Sequence, residues 1–175
     1  HSMTPFIQHT GITAPLVRDN INTDTIIPSR EMRSVSRSGL SEGLFAPWRY
    51  DDPNARTLNS AFVLNEACFS GASILLTGAN FGCGSSREHA VWALLESGFR
   101  VIMATSFATI FRNNALRNGL LTIELHPDRI ERLAEWVSRD PQAHTLGVDL
   151  EARTIRHDPH CDAETFSVDP NARDM

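Results

Sequence analysis

The sequence has few cysteines, and their spacing fits neither a disulfide framework nor a common metal motif. Cys68, Cys83 and Cys161 are the three cysteines among 175 residues, and no two of them form a CxxC pair. An odd, scattered set argues against a disulfide scaffold and against a structural zinc site. Because such cysteine usage is typical of a reducing compartment, we predict a cytoplasmic protein.

Long apolar runs, basic clusters and repeats are also lacking. The chain has 16 Lys and Arg against 21 Asp and Glu, a formal net charge of −5 at pH 7. Without a polybasic block, neither nucleic acid nor an anionic membrane is expected as a partner. No apolar run approaches the length of a transmembrane helix. Residues 1–3 are typical of an expression remnant with no signal peptide after them, so we predict one domain over residues 4–175.

The apolar patterns alternate between strand-like and helix-like periods. Strand-like runs cover residues 12–17, 74–77, 101–104 and 120–125, and residues 25–27 are predicted to be a further extended run ending at Pro28. Helix-like patterns cover residues 87–99, 107–117 and 127–140, and three short strands are predicted over residues 145–157 and 164–169. This alternation predicts a layered α/β fold with a mixed sheet. The polar segment 29–60 is long for a connection, so we expect it to be functional or disordered, with room for a short helix.

The stretch NFGCGSSREHA, residues 80–90, joins a predicted strand to a predicted helix. Ser85 and Glu88 have the S-x-x-E spacing of a helix capping box, which is a purely structural explanation. That explanation leaves out Arg87, because a cation in the first helical turn is disfavoured by the helix dipole. Free amides, two hydroxyls and a guanidinium together could instead bind a carboxylate or a phosphate.

Known phosphate and hydrolase motifs do not match this junction. Gly82-Cys83-Gly84 begins like G-x-G-x-x-G, but the closing position holds Arg87. The sequence contains neither G-x-x-x-x-G-K-[ST] nor G-x-S-x-G. From spacing alone, an anion-binding site and a plain capped turn remain equally supported.

Several motifs resemble one known family. GCGSSREHAVWAL, preceded at a distance by DNINTDTIIP and followed by FATIFRNNALRNGLL and ETFSVD, is similar to the small subunits of 3-isopropylmalate dehydratases, which are the swivel-domain halves of aconitase-type enzymes. The resemblance runs from about residue 10 to the end of the chain. It implies a three-layer β/β/α swivel domain.

The resemblance also implies a chemistry. In the family, a [4Fe-4S] cluster held by the large subunit acts as a Lewis acid on the substrate, and this chain is expected to bind no metal itself. By the same pattern Ser85 would be the catalytic base, with Ser86 and Arg87 binding a carboxylate of a branched malate. The loop after Pro28 would recognise the substrate through Arg30 and Met32. The chain would then be a hydro-lyase subunit of leucine biosynthesis that is active only with its large subunit.

Two departures from the family pattern keep alternatives open. Many relatives carry an aromatic residue and a leucine where this chain has Glu31 and Met32. A related acid such as homoaconitate, citraconate or dimethylmalate therefore remains an alternative substrate, and a non-catalytic anion-binding module remains an alternative function. Relatives also continue into a further helical stretch beyond FSVDP, so we expect that tail to be absent here.

Overall fold

The computed structural model describes residues 8–32, 39–85, 87–157 and 164–166. In chain order the strands are β1 (Gln8–Gly11), β2 (Thr13–Leu16), β3 (Tyr50–Asp52), β4 (Thr57–Leu58), β5 (Ile74–Thr77), β6 (Val101–Ala104), β7 (Leu121–Glu124), β8 (Leu146–Asp149), β9 (Thr154–Arg156) and β10 (Glu164–Thr165). The α-helices are α1 (Thr23–Ile26), α2 (Ala46–Arg49), α3 (Glu88–Glu96), α4 (Thr109–Asn118) and α5 (Pro127–Arg139). In the part of the chain described here, no helix has both the length and the apolar character needed to cross a bilayer.

Two four-stranded sheets form the body of the domain. One has the order β2-β5-β6-β7 with every pair parallel, and the other has the order β1-β8-β9-β10 with every pair antiparallel. The prediction of mixed parallel and antiparallel pairing is therefore confirmed, and the two kinds of pairing lie in separate sheets. Parallel neighbours need helical crossovers, which α3 and α4 supply between β5, β6 and β7.

The parallel sheet is buried on both faces, so its strands are almost continuously apolar. On one face Leu75 and Ile102 belong to a core that contains residues of α3 and α4. On the other face Ile74 and Val101 belong to a second core, made with α5 and the antiparallel sheet. Alternate residues of the same strands thus enter different cores, because successive side chains of a strand point to opposite faces. The result is the three-layer β/β/α arrangement that the resemblance implied.

One predicted strand is a helix. Residues 25–27 have the β-branched composition of a strand, but residues 23–26 form α1. The Asn22 side chain accepts a hydrogen bond from the Thr25 amide at 2.9 Å, which caps and starts the helix. Ile26 and Ile27 are nevertheless fully buried. The local cap therefore outweighs the strand propensity, while the apolar side chains still enter the core.

The long polar segment is partly structured. Its described residues form short 3-10 turns, α2 and the hairpin of β3 and β4. Phe45, Trp48 and Phe62 pack together with ring centroids 6.0–6.3 Å apart, which anchors this segment on the domain. The expected short helix is confirmed as α2, and residues 33–38 lie outside the described part.

Candidate active site

The candidate site lies at the carboxyl edge of the parallel sheet, where the segments leaving β2, β5 and β6 run side by side. Isolated parallel bridges join Asn22 to Cys83 and Phe81 to Phe107, beyond the ends of the regular strands. The segment after β2 also contributes two side-chain contacts: Asp19 accepts from the Ala79 amide at 2.7 Å and Asn20 accepts from Asn80 at 3.0 Å. Asp19 and Asn20 are residue types that often bond to the backbone of their own turn. They bind the neighbouring segment instead, so they fix the two segments together.

Two glycines shape the junction after β5. Gly82 has φ +83°, and a Cβ at this position would lie 2.4 Å from the Phe111 ring. Gly84 has φ +91°, and a Cβ there would lie 3.3 Å from the Asn22 Cβ. Both residues therefore need the left-handed conformation and the absence of a side chain. They let the chain pass close to α4 and to the β2 segment before it presents Ser85.

Ser85 is solvent-exposed, and it does not cap a helix. Helix α3 begins at Glu88, its N-cap residue is Arg87, and the cap makes no side-chain hydrogen bond. The Glu88 carboxylate accepts a hydrogen bond from the Asn118 side chain at 2.6 Å. The capping box, which was the structural alternative for Ser85 and Glu88, is therefore not formed. The turn at Gly84 leaves Ser85 two residues ahead of the N-cap, and α4 supplies another partner for Glu88.

Arg87 is held by the segment that follows β2. Its Nη1 donates to the Ser29 hydroxyl at 2.7 Å and lies 3.6 Å from Asp24 Oδ1. Nearly a third of the Arg87 side chain is still exposed. Sequence reasoning did not link Ser29 and Asp24 to Arg87, because 58 residues separate Ser29 from it. A guanidinium has five N–H donors, so these contacts leave donors available to an anion.

Thr23 connects the two segments beneath Ser85. The residue is fully buried, its amide donates to the Cys83 carbonyl at 2.9 Å, and its hydroxyl donates to the Ser85 carbonyl. The stretch 23–29 therefore contacts Ser85 through Thr23, and it contacts Arg87 through Asp24 and Ser29. Thr23 and Asp24 therefore both contact the junction after β5 directly.

The loop after Pro28 presents its two candidate residues and the intervening Glu31 differently. Arg30 is about half exposed, with Nε 3.8 Å from Glu31 Oε2, and Met32 is partly buried against the core. The Glu31 carboxylate is turned toward Arg56, with oxygen–nitrogen distances of 2.6 and 3.2 Å. Hydrogen bonding to Glu31 raises the pKa of Arg56 above its ordinary value. Arg30 and Met32 remain candidate substrate contacts, and Ser86 lies outside the described residues.

The cysteines do not form a metal site in the described part of the chain. Cys83 follows the carboxyl end of β5, whereas Cys68 precedes the amino end of the same strand, and both are free thiols. No group of three or more His, Cys, Asp or Glu residues is arranged to hold a metal ion within the described ranges. Cys161 lies outside those ranges. The described residues therefore do not fit an iron–sulfur cluster.

An open cavity lies at the other edge of the sheet. Its volume is about 400 Å³, and its lining includes Leu44, Phe69, Phe99, Glu42 and Glu96. None of the candidate residues Ser85, Arg87, Arg30 or Met32 lines it. Ser85 and Arg87 instead lie on a surface at the ends of three strands, which we call the cradle. Ligands of open parallel sheets commonly bind at such a position.

Comparisons with known proteins identify the family and support the fold. Residues 3–128 match the aconitase C-terminal domain family. The chain is 55% identical over 148 residues to the 3-isopropylmalate dehydratase small subunit of Cupriavidus necator, which covers 85% of this chain and 71% of that protein. A crystal structure of 3-isopropylmalate dehydratase from Methanocaldococcus jannaschii superposes with a TM-score of 0.65 at 24% identity, over 93% of this chain and 83% of that one, and it supports the fold. The chain belongs to the aconitase C-terminal domain family.

Proposed function

We propose that this chain is the small subunit of 3-isopropylmalate dehydratase, a hydro-lyase of leucine biosynthesis that interconverts 2-isopropylmalate and 3-isopropylmalate. The observation that carries the proposal is the 55% identity to a small subunit of that enzyme over most of both chains. A small subunit implies a large one. The exposed cradle of Ser85 and Arg87 is what half of a shared active site should look like before its partner covers it.

Ser85 is proposed as the base of the reaction. Dehydration removes a proton from the carbon next to the hydroxyl-bearing carbon, the hydroxyl leaves as water, and water returns with the two positions exchanged. A serine hydroxyl is a weak base, so its alkoxide form needs electrostatic support. Two nearby features supply positive potential: the Arg87 guanidinium and the N-terminus of α3, whose cap has no side-chain partner.

Arg87 is proposed to bind a substrate carboxylate, together with Ser86. A guanidinium already oriented by Ser29 and Asp24 loses less entropy when it binds than a freely rotating one. The planar fork can make two parallel hydrogen bonds to a carboxylate. We propose Met32 as a contact for the alkyl branch, since the thioether is flexible and apolar.

The large subunit is proposed to carry the [4Fe-4S] cluster. The described residues of this chain contain no matching ligand group, and the two described cysteines stand at opposite ends of one strand. When bound in the complex, the cluster supplies a Lewis acid at the substrate hydroxyl and carboxylate. This chain then supplies the base and the carboxylate receptor.

Reconstitution tests the proposal. The two subunits are purified separately, and hydration and dehydration are followed with 3-isopropylmalate for each alone and for the mixture. Activity is expected only in the mixture. Activity of this chain alone, or an inactive mixture whose large subunit holds its cluster, would contradict the proposal.

Substrate choice is tested with three acids. We expect 3-isopropylmalate to be preferred over citraconate and homoaconitate, because Arg30 is about half exposed beside Glu31 and a guanidinium turned to an alkyl group would lose hydrogen bonds. Arg30→Ala should leave turnover of 3-isopropylmalate within about threefold. A preference for homoaconitate that disappears in Arg30→Ala would overturn the isopropylmalate assignment and leave the Ser85 chemistry standing.

A further inference from the structure

The main-chain ladder that supports the junction ends just before Ser85. The Asn20 amide donates to Ala79, Gly82 donates to Ile21 and Thr23 donates to Cys83, at 2.8, 2.8 and 2.9 Å. These rungs run along the two segments in register, as an extension of the β2–β5 pairing. Gly84, with φ +91°, then turns the chain out of the ladder.

One side-chain contact continues the ladder past that turn. The Thr23 hydroxyl donates to the Ser85 carbonyl. Thr23 is 1% exposed, and its own main chain is fixed by the Cys83 carbonyl and by its place as the first residue of α1. A donor held this firmly can fix the peptide that it binds.

We propose that Thr23 is a positioning residue for the reaction, and that its hydroxyl holds the Ser85 peptide so that the serine side chain faces the substrate. The inference rests on the proposed function, since it gives Ser85 the role of base. The side chain of Ser85 itself is exposed, and α3 begins only at Glu88. Between the Gly84 turn and the helix, the Thr23 bond is the described link from the Ser85 peptide to the domain body.

The expected consequence of losing this bond is kinetic rather than structural. The main-chain hydrogen bonds of Asn20, Gly82 and Thr23 remain when the hydroxyl is removed, so the two segments should stay paired. Misplacement of a reacting group by a fraction of an ångström still lowers turnover strongly. Substrate affinity should change little, because the Arg87 contacts to Ser29 and Asp24 remain.

The test compares Thr23→Val with Thr23→Ser in the two-subunit complex. Valine keeps the branched shape and removes the donor, whereas serine keeps the donor and removes a methyl group. With 3-isopropylmalate, Thr23→Val is expected to lower kcat about tenfold with KM within twofold, and Thr23→Ser to keep kcat within about threefold. Equal kcat values for the two variants would overturn the proposal.

A double-mutant cycle with Ser85→Ala decides whether Thr23 acts through Ser85. In the Ser85→Ala background, Thr23→Val should have no further effect on kcat, because the group that it positions is gone. An undiminished tenfold loss in that background would also overturn the proposal. Should Thr23→Val be insoluble, Thr23→Cys, with its weaker donor, should lose about fivefold in kcat, and wild-type turnover there would contradict the positioning role.

The same measurements separate this inference from the proposed function. If the wild-type complex is active, Ser85→Ala is inactive and Thr23→Val is as active as wild type, only the positioning role fails. If the wild-type complex is inactive, or Ser85→Ala keeps its turnover, the proposed chemistry fails and takes the positioning role with it.

Discussion

Two strand-to-helix connections leave the same edge of the parallel sheet and differ in length, glycine content and polar residues. The connection from β5 to α3 has ten residues, 78–87, whereas the connection from β6 to α4 has four, 105–108. The longer one contains three glycines, two of them at positive φ, and ends in Ser85, Ser86 and Arg87. The shorter one contains no glycine. Four residues are enough to join a strand to a helix here, so the additional length and the polar residues of the longer connection indicate function.

The first test removes the hydroxyl of Ser85, in the longer connection. In the two-subunit complex Ser85→Ala should lower kcat at least 100-fold, because a general base contributes on the order of 10²–10⁴ to rate. KM and the melting temperature should stay close to wild type, since the side chain is exposed. Thr109→Ala, an exposed hydroxyl at the start of α4, is the matched control and should keep turnover within about twofold. Turnover of Ser85→Ala near wild type would reduce Ser85 to a structural residue.

The second test adds a methyl group at Gly82. Gly82→Ala should destabilise the chain by about 3 kcal/mol, because the Cβ would lie 2.4 Å from Phe111 in a left-handed backbone. Gly98→Ala has a similar backbone, with φ +101°, but open space around the Cβ. It should lose only about 1 kcal/mol, measured for both variants by chemical unfolding. Equal losses would show that the approach to α4 contributes nothing.

The third test compares Arg87, from the longer connection, with Arg112, from the helix that follows the shorter one. Arg87→Lys should raise KM for 3-isopropylmalate about tenfold, because lysine keeps the charge and loses the bidentate fork. Arg112→Lys, in α4, affects a surface pair with Glu124 at 3.4 Å and should leave kinetics unchanged. Steady-state assays of the complex check both. An unchanged KM and kcat in Arg87→Lys would remove that residue from the site.

The smallest expected effect is at the opposite edge of the sheet, where His9 lies 2.7 Å from the Ser73 hydroxyl. Burial, and then the charge of Arg100, lower the pKa of His9 below its ordinary 6.5. Between the folded-state and unfolded-state values the unfolded chain binds more protons, so stability falls as pH decreases from 6.5 through the folded pKa. His9→Gln should show a shallower loss between pH 7 and 5 in unfolding experiments. An identical pH slope in the two proteins would exclude His9 as its source.

Sequence periodicity predicted the fold well where apolar residues are buried by both cores. The strands at 74–77 and 101–104 are predicted with their bounds correct, because short, almost continuously apolar runs between polar segments are typical of strands buried on both faces. The prediction of a strand at residues 25–27 was wrong because the Asn22 side chain, which accepts a hydrogen bond from the Thr25 amide, starts a helix there. Intrinsic conformational propensities differ by a few tenths of a kcal/mol per residue. One N-cap hydrogen bond contributes about 1 kcal/mol, which is more than that difference.

The motifs and the apolar pattern of the sequence were enough to identify the family, the α/β layers and the residues that we propose for the chemistry. GCGSSREHA is a local pattern, so its glycines, serines and arginine can be recognised without coordinates. The partners of these residues are seen only in the folded chain. Ser85 is bound by Thr23, Arg87 by Ser29 and Asp24, and Glu88 by Asn118. These contacts span 30 to 63 residues of chain. The contacts of Ser85 and Arg87 form because parallel strands bring their carboxyl ends to one edge of a sheet, and the contact of Glu88 forms because α3 packs on α4. Contacts between residues so far apart in the chain leave no local pattern in the sequence.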